Sequence, residues 1–236
     1  MPDAAKLRVQ GLTSGYGAIP VVHGVDLDIA PGEIFALMGK NGMGKTTLLK
    51  SILGLIKPFS GAVALDGRFL VGKPPAELIA SGIGYAPQEQ PLFQDLTIRD
   101  NLRLALTSDR DLRAALDRVA SHFPFLLDRL AQKAGTLSGG EQKMLILARA
   151  LMLRPKLILI DEISEGLQPS VIDRIASALR RERDENGMTI VIVEQNLEFA
   201  LAIADRWAVL KTGRIDDQGR VEPGSRARIV EHLRIG

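Results

Sequence analysis

Apolar stretches rich in β-branched residues recur along the chain, separated by segments in which apolar residues recur every three or four positions. Residues 157–160, 189–193 and 206–210 are nearly continuous apolar runs, which is typical of parallel strands covered on both faces. Alternation of such strands with helices indicates an α/β fold. We therefore predict a mostly parallel sheet flanked by helices.

The amino-terminal part of the chain has a different pattern. Strands are predicted at residues 6–11, 21–30 and 33–38, and the pairs Ser14-Gly15 and Pro31-Gly32 are turn signals. Polar and apolar residues alternate within the second of these strands, as in a strand with one face in solvent. We predict an antiparallel β region that packs beside the main sheet.

Apolar residues near helical spacing run through residues 97–136, which we predict to form a small helical subdomain. Residues 1–96 and 137–236 would form the α/β core with its antiparallel region, all within one domain. Near the carboxyl end, residues 214–222 are predicted to form a hairpin that turns at Asp217-Gln218-Gly219, and a last helix follows.

The amino-acid composition excludes several classes of functional site. It has 30 Lys and Arg against 28 Asp and Glu, and the formal charge of +2 does not favour nucleic-acid binding. Cysteine is absent and the three histidines lie far apart, which excludes thiolate chemistry and histidine metal clusters. No apolar run approaches the ~18 residues of a membrane span, and the first ten residues lack a signal-peptide core. These features favour a soluble, cytoplasmic protein.

A glycine-rich segment between a predicted strand (residues 34–38) and a predicted helix (residues 46–53) fits G-x-x-x-x-G-K-[ST]. Its backbone N–H groups can surround anionic oxygens, and the helix N-terminus adds partial positive charge. Lys45 would contact the β- and γ-phosphates, and the Thr46 hydroxyl would bind Mg²⁺. The simpler alternative is an ordinary strand-to-helix turn. The candidate ATP-binding residues here are Gly39, Lys40, Asn41, Gly42, Met43, Gly44, Lys45, Thr46 and Thr47.

Two acids end the apolar run at residues 157–160. A buried parallel strand delivers Asp161 to the carboxyl edge of the sheet, where the phosphate loop also lies. There it could bind Mg²⁺ together with Thr46, while Glu162 could orient or deprotonate a water that attacks the γ-phosphate. The alternative is a strand that ends in solvated acids. Beside a phosphate loop, the pair favours nucleotide hydrolysis over phosphoryl transfer to a bound substrate.

A third motif lies between the phosphate loop and these acids and precedes a strongly helical run. It consists of Leu137, Ser138, Gly139, Gly140 and Glu141. By itself the motif predicts only a helix N-terminus with a serine cap. In this position, however, it resembles the signature motif of the ATP-binding-cassette (ABC) ATPases, and the resemblance extends over nearly the whole chain.

Other residues match that family in the same order along the chain. Tyr16 matches the aromatic residue that stacks on adenine, although it could instead cover apolar surface. Gln88 matches the Q-loop glutamine, which the resemblance implies contacts Mg²⁺ or the attacking water. Residues 164–169 occupy the position of the D-loop.

The resemblance implies an ATPase that uses ATP and Mg²⁺ and works as a dimer. Two cassettes, either two copies of this chain or this chain and a related paralogue, would pack head to tail. Residues 137–141 of each would then cover the ATP bound to the other. Two transmembrane permease subunits would dock on the helical subdomain, so the cassette would lie on the inner face of the cell membrane. An external solute-binding protein would act through the permeases, and no nucleic-acid partner is implied.

Four departures from the commonest cassette pattern indicate a branch of the family. They are Glu141 in place of Gln, Ile163 in place of Pro, Gln168 in place of Asp, and Gln195 in place of a histidine. The strings LSGGEQ, EGLQP and VEQN together resemble the shorter ATPase subunit of branched-chain amino-acid importers. Importers of urea and short amides have similar subunits, and the string EGLQP slightly favours a resemblance to those.

Gln195 is the least ordinary of these residues and is a candidate catalytic residue beside Glu162. Its amide could contact the γ-phosphate but could not carry a proton near neutral pH. The base role would then belong to Glu162 alone. The alternative is that Gln195 caps a predicted helix at residues 196–204.

Two other function classes are the alternatives to an importer ATPase, and sequence features distinguish them from it. A nucleic-acid ATPase of the same family would carry a long coiled coil or a second cassette, and the sequence has neither pattern. A P-loop kinase would lack the signature motif.

Overall fold

Residues 7–88 and 92–234 are described by the computed structural model; Lys6, which begins the first predicted strand, lies outside the described residues. The strands of the described part are β1 (Leu7–Tyr16), β2 (Ile19–Ile29), β3 (Ile34–Met38), β4 (Ser60–Leu65), β5 (Arg68–Phe69), β6 (Ile83–Ala86), β7 (Leu157–Asp161), β8 (Thr189–Glu194), β9 (Arg206–Lys211) and β10 (Arg214–Arg220). Its α-helices are α1 (Lys45–Ile52), α2 (Pro75–Ala80), α3 (Ile98–Arg103), α4 (Leu112–His122), α5 (Phe125–Asp128), α6 (Gly139–Leu151), α7 (Pro169–Asn186), α8 (Leu197–Ile203) and α9 (Ser225–Arg234).

The larger of two sheets has the strand order β10-β9-β3-β8-β7-β6 within the described residues. Neighbours from β9 to β6 pair in parallel, and β10 adds an antiparallel edge strand. Every residue of β3, β7 and β8 is buried, as expected for strands covered on both faces. The prediction of a mostly parallel sheet is confirmed.

The smaller sheet has the order β2-β1-β4-β5, and its neighbours pair antiparallel. The predicted antiparallel region is therefore confirmed for the first two predicted strands. The third, at residues 33–38, was assigned to the wrong sheet: it forms β3 in the centre of the parallel sheet. Its side chains are apolar on both faces because both faces are covered.

Helix α1 packs in the core between the two sheets and anchors the start of the functional region. Phe35 and Leu37 of β3 join Leu48 of α1 in the core shared with the smaller sheet. Ile34 and Met38 point the opposite way, into the core formed with the larger helices. The loop that connects β3 to α1 therefore begins and ends on rigid elements.

Helices also form where the sequence predicts them between residues 97 and 136. Helices α3, α4 and α5 lie there with two short 3₁₀ turns, and a bridge pairs Thr97 with Lys133 near the two ends of the segment. His122 at the end of α4 contacts Glu182 of α7, with 2.6 Å between Nε2 and Oε1. None of the helices in the described part of the chain is long and apolar enough to span a membrane.

Two predicted turns are wrong, and glycine is the reason in both cases. Strand β1 continues through Ser14-Gly15 to Tyr16, and a Cβ atom on Gly15 would lie 2.0 Å from the Ile19 carbonyl oxygen. This glycine allows close approach of two strands. The turn predicted at residues 217–219 lies inside β10, where the Trp207 ring would lie 3.3 Å from a Cβ atom on Gly219.

The hairpin near the carboxyl end instead turns between β9 and β10. Thr212 and Gly213 adopt positive φ values of 44° and 74° there. The Pro31-Gly32 turn is confirmed.

Candidate active site

The glycine-rich loop follows β3 at the carboxyl edge of the parallel sheet and leads directly into α1. Gly42 and Gly44 have φ values of 78° and 98°, a left-handed conformation that other residues rarely adopt. A Cβ atom on Gly39 would lie 2.5 Å from the Leu210 carbonyl oxygen of the neighbouring strand. The backbone conformation and the packing therefore both require glycine in this loop.

The first turn of α1 is left open to an anion. Gly44 precedes the helix and provides no side-chain cap, and the first turn contains no acidic residue. The orphan N–H groups and the positive end of the helix dipole are thus available to phosphate oxygens. Lys45 is 96% buried, and its Nζ donates to the carbonyl oxygens of Gly39 at 2.8 Å and Lys40 at 3.0 Å.

Glu162 lies at the centre of the site. Its Oε1 is 3.1 Å from Lys45 Nζ, and its Oε2 accepts hydrogen bonds from Gln88 Nε2 at 2.9 Å and Gln195 Nε2 at 2.8 Å. The residue is 3% exposed and has a positive φ of 46°. The structure therefore brings together one residue each from the phosphate loop, the Q-loop position, the acid pair and the end of β8.

Both amide side chains also reach a second partner. Gln195 Nε2 donates to Asn41 Oδ1 of the phosphate loop at 2.6 Å, and Gln88 Nε2 donates to Glu165 Oε2 at 3.0 Å. The alternative that Gln195 caps the next helix is wrong, because Asn196 does so: its Oδ1 accepts from the Phe199 N–H at 3.1 Å.

Asp161 at the end of β7 has the environment of a metal ligand. Both of its carboxylate oxygens are buried and make no hydrogen bond of normal geometry to the described part of the chain. Burial raises the pKa of Asp161, while the nearby Thr46 hydroxyl and the Lys45 charge act in the opposite direction. An orphaned buried carboxylate beside a hydroxyl fits Mg²⁺, which commonly takes one or two carboxylates and completes its shell with phosphate and water oxygens.

The signature residues form the amino end of α6. Ser138 caps the helix: its Oγ accepts from the Glu141 N–H at 3.3 Å, and Glu141 Oε2 accepts from the Ser138 N–H at 2.9 Å. The hydrogen bond from the Ser138 N–H lowers the pKa of Glu141. Arg129, whose Nη1 lies 2.7 Å from Glu141 Oε1, acts in the same direction. Leu137 is buried, whereas Ser138 and Gly139 are exposed at the surface.

The remaining predicted residues lie around this centre. Thr47 is buried in the first turn of α1, and the Met43 carbonyl oxygen accepts from the Gly213 N–H at 3.1 Å. Tyr16 is 52% exposed at the end of β1 and takes no part in the hydrogen-bond network of Glu162.

Sequence reasoning missed two charged residues beside Glu162, the half-buried Lys143 and the buried Glu194. Lys143 of α6 donates to the carbonyl oxygens of Gln88 at 3.1 Å and Glu162 at 3.4 Å, and burial lowers its pKa. Glu194 accepts from the Ser164 N–H at 3.0 Å and Oγ at 2.7 Å, and burial raises its pKa. An acid that ends the wholly apolar strand β8 was the available signal for Glu194. Lys143 had none beyond its place in the signature helix.

Comparisons with known proteins agree with this arrangement. The ABC transporter family model matches residues 22–165. The high-affinity branched-chain amino acid transport ATP-binding protein BraG of Pseudomonas aeruginosa is 42% identical, over 89% of this chain and 90% of that protein. The probable branched-chain amino acid transport ATP-binding protein LivF of Archaeoglobus fulgidus is 39% identical, over 90% and 91% respectively.

A solved nucleotide-free ATP-binding cassette from an ABC transporter has the same fold. It superposes with a TM-score of 0.89 at 26% identity and covers 98% of this chain and 99% of its own. The fold, the family match and the likeness to transport ATP-binding proteins all indicate one family. The chain therefore belongs to the ABC transporter family, as one of its ATP-binding, ATP-hydrolysing cassettes.

Proposed function

We propose that this chain is the ATPase subunit of an importer of branched-chain or other hydrophobic amino acids. The observation that carries the proposal is the 42% identity to a branched-chain amino acid transport ATP-binding protein over almost the full length of both chains. The segment EGLQP at residues 165–169 favours a second candidate, an importer of urea or short amides.

Within this ATPase, Lys45 and the open end of α1 hold the ATP phosphates. Thr46, Asp161 and Gln88 hold Mg²⁺, which would neutralise charge on the phosphate oxygens. Tyr16 stacks on the adenine. The assignment of Mg²⁺ is supported by the buried, unpartnered oxygens of Asp161.

Glu162 accepts the proton of the attacking water, and Gln195 orients the reacting groups through its amide. Lys45 now contacts the Glu162 carboxylate at 3.1 Å. Phosphate oxygens compete for the same ammonium group, so ATP binding draws Lys45 away and leaves Glu162 Oε1 free to accept from water. Arrival of the substrate thereby completes the catalytic group.

The cassette acts as a head-to-tail dimer, with a second copy of this chain or a related ATPase subunit. The starts of α1 and α6 both present backbone N–H groups of a helix, those of Gly139 and Gly140 in the case of α6. The exposed start of α6 has a role if Ser138 and Gly139, which lie at the surface, cover the γ-phosphate held by the partner.

Two transmembrane permease subunits dock near α3, within a helical subdomain formed by residues 97–136. Phe93 and Leu104 are exposed by 57% and 56% there, and the Asn101 side chain fixes the preceding loop through the backbone of Phe93. Apolar side chains held in place at a surface fit a protein partner. Through the permeases the cassette lies on the inner face of the membrane and works with a solute-binding protein.

Uptake measurements test the proposed solute. In cells that lack the gene, we expect uptake of labelled leucine to fall and to recover when the wild-type chain is supplied. The Glu162→Gln chain should fail to restore uptake, because glutamine keeps the size of the side chain but not its basicity. Loss of labelled urea uptake with leucine uptake intact would instead establish the amide importer, and no change in either would overturn both.

A further inference from the structure

Lys143 is a charged side chain on the inner face of the signature helix. It lies in the second turn of α6, five residues after Ser138. Leu147, one turn further along the same face, is fully buried. The lysine therefore projects towards the carboxyl ends of β6 and β7. A charged group that leaves water there is stable only when it has hydrogen-bond or ionic partners.

The ammonium group of Lys143 joins two backbone segments that are distant in the sequence. It donates to the carbonyl oxygen of Gln88, which follows β6, and to that of Glu162, which follows β7. An ammonium group has three N–H donors and is thus able to hold both carbonyl groups at once. Lys143 Nζ therefore links α6 to the segments that follow β6 and β7.

The backbone that Lys143 holds is in an unfavourable conformation. Glu162 has a φ of 46°, which residues other than glycine seldom adopt and which persists only where the surroundings impose it. On one side its N–H donates to the Val193 carbonyl oxygen at 2.9 Å. On the other side its carbonyl oxygen accepts from Lys143.

The charge of Lys143 also suits its surroundings. The carboxylates of Glu165, Glu194, Asp161 and Glu162 all lie near enough to favour its ammonium form. Lys45, which is buried, is a second cation in contact with Glu162. If ATP draws Lys45 to the phosphates, Lys143 stays as the cation that balances these acids from the protein side.

We propose that Lys143 is a positioning residue for hydrolysis, which locks the backbone turn at Glu162 against the signature helix and so fixes its carboxylate for the attacking water. This inference rests on the proposed base role of Glu162. Because α6 begins with the signature residues, the same contact joins the surface that covers a partner's ATP to the catalytic acid of this chain's own site.

Steady-state kinetics of Lys143→Met test the proposal, since methionine keeps the length of the side chain without its donors or charge. We expect kcat to fall by about 10- to 100-fold, the scale of a small misplacement of a catalytic group. KM and the affinity for ATP should stay within about twofold of wild type. Lys143→Arg should recover most of the rate. Lys156→Met, at an exposed lysine before β7, is the matched control and should retain wild-type kcat.

A double-mutant comparison separates positioning from a general structural role. If Lys143 acts through Glu162, adding Lys143→Met to a Glu162→Gln chain should change the residual single-turnover rate by less than about twofold. An equal loss in both backgrounds, an unchanged kcat in Lys143→Met, or a matching loss of ATP affinity would overturn the proposal. Near wild-type turnover in Glu162→Gln alone would instead refute the base role of Glu162.

Discussion

Gln195 has two amide hydrogens, and each has a defined acceptor. One donates to Asn41 of the phosphate loop at 2.6 Å and the other to Glu162 at 2.8 Å. The side chain thus lies between the glycine-rich loop and Glu162, the proposed base. An amide in this position can align groups but cannot exchange a proton with them.

We therefore expect replacement of Gln195 to affect the rate of hydrolysis more than nucleotide binding. We expect Gln195→Ala to lower kcat by about 10- to 1000-fold, as for loss of one hydrogen-bond donor from a transition state. Gln195→His should keep substantial activity, because a ring N–H can replace the amide donor. Steady-state ATPase assays, normalised to folded protein, measure both. Unchanged turnover in Gln195→Ala would show that the amide has no part in the reaction.

At the scale of elements, the turn between β9 and β10 supports the phosphate loop from behind. The Gly213 N–H donates to the Met43 carbonyl oxygen at 3.1 Å, and the Gly213 carbonyl oxygen accepts from the His23 N–H at 2.8 Å. A Cβ atom on Gly213 would lie 2.0 Å from the Val21 carbonyl oxygen. The turn therefore joins the smaller sheet to the loop and has no room for a side chain.

Two glycine substitutions separate the effect of this packing from that of backbone conformation. Gly67→Ala, in the turn after β4, meets no atom within 4 Å and pays only for its positive φ, about 1 to 2 kcal/mol. Gly213→Ala adds a backbone clash, so we expect a larger loss of the free energy of unfolding and weaker ATP binding. Denaturant titration and nucleotide-binding fluorescence provide the comparison. Equal effects of the two substitutions would contradict a supporting role for the turn.

The sequence predicts well those parts of the fold whose signals are local, and it predicts poorly those that depend on distant contacts. Residues 157–160 and the phosphate loop were found because their signals are local: an apolar run, and a fixed spacing of Gly, Lys and Thr. Gly15 and Gly219 were misread as turn residues because a glycine that makes room for a distant strand or ring looks the same in the sequence. Short β-bridged segments such as β5 gave no pattern long enough to recognise.

The residues of the candidate site also fall into those predicted from local motifs and those that depend on distant contacts. Motif spacing predicts Lys45, Asp161 and Glu162, but a motif says nothing about which residues it meets from elsewhere in the chain. The contact between Lys143 and the Glu162 carbonyl group spans 19 residues and depends on how α6 lies across the strand ends. Such contacts become visible only after the helices are packed.

For the whole molecule, the proposed dimer depends on Ser138 meeting ATP held by another cassette. A Glu162→Gln chain should bind Mg-ATP, hydrolyse it very slowly and accumulate as a dimer. Adding Ser138→Arg to that chain should abolish the dimer while ATP binding persists, because an arginine side chain would fill the space before α6. Size-exclusion chromatography with light scattering measures the mass.

Ser121→Arg, at an exposed serine of α4, is the matched control in the same background. It should dimerise like the parent chain. Dimerisation of the Ser138→Arg chain at the same ATP concentration would show that the signature end of α6 lies outside the interface.

The reciprocal hydrogen bonds between Ser138 and Glu141 have a consequence for how quickly such a dimer can form. They close the first turn of α6 within a single chain, so the helix end is already ordered before a second cassette arrives. Less conformational entropy is then lost on association, which favours productive encounters. The Glu141 carboxylate is also paired with Arg129 at 2.7 Å, which offsets its negative charge at this helix end. In the proposed dimer, a helix end that is ordered beforehand would let the two cassettes associate again at little entropic cost after each round of hydrolysis.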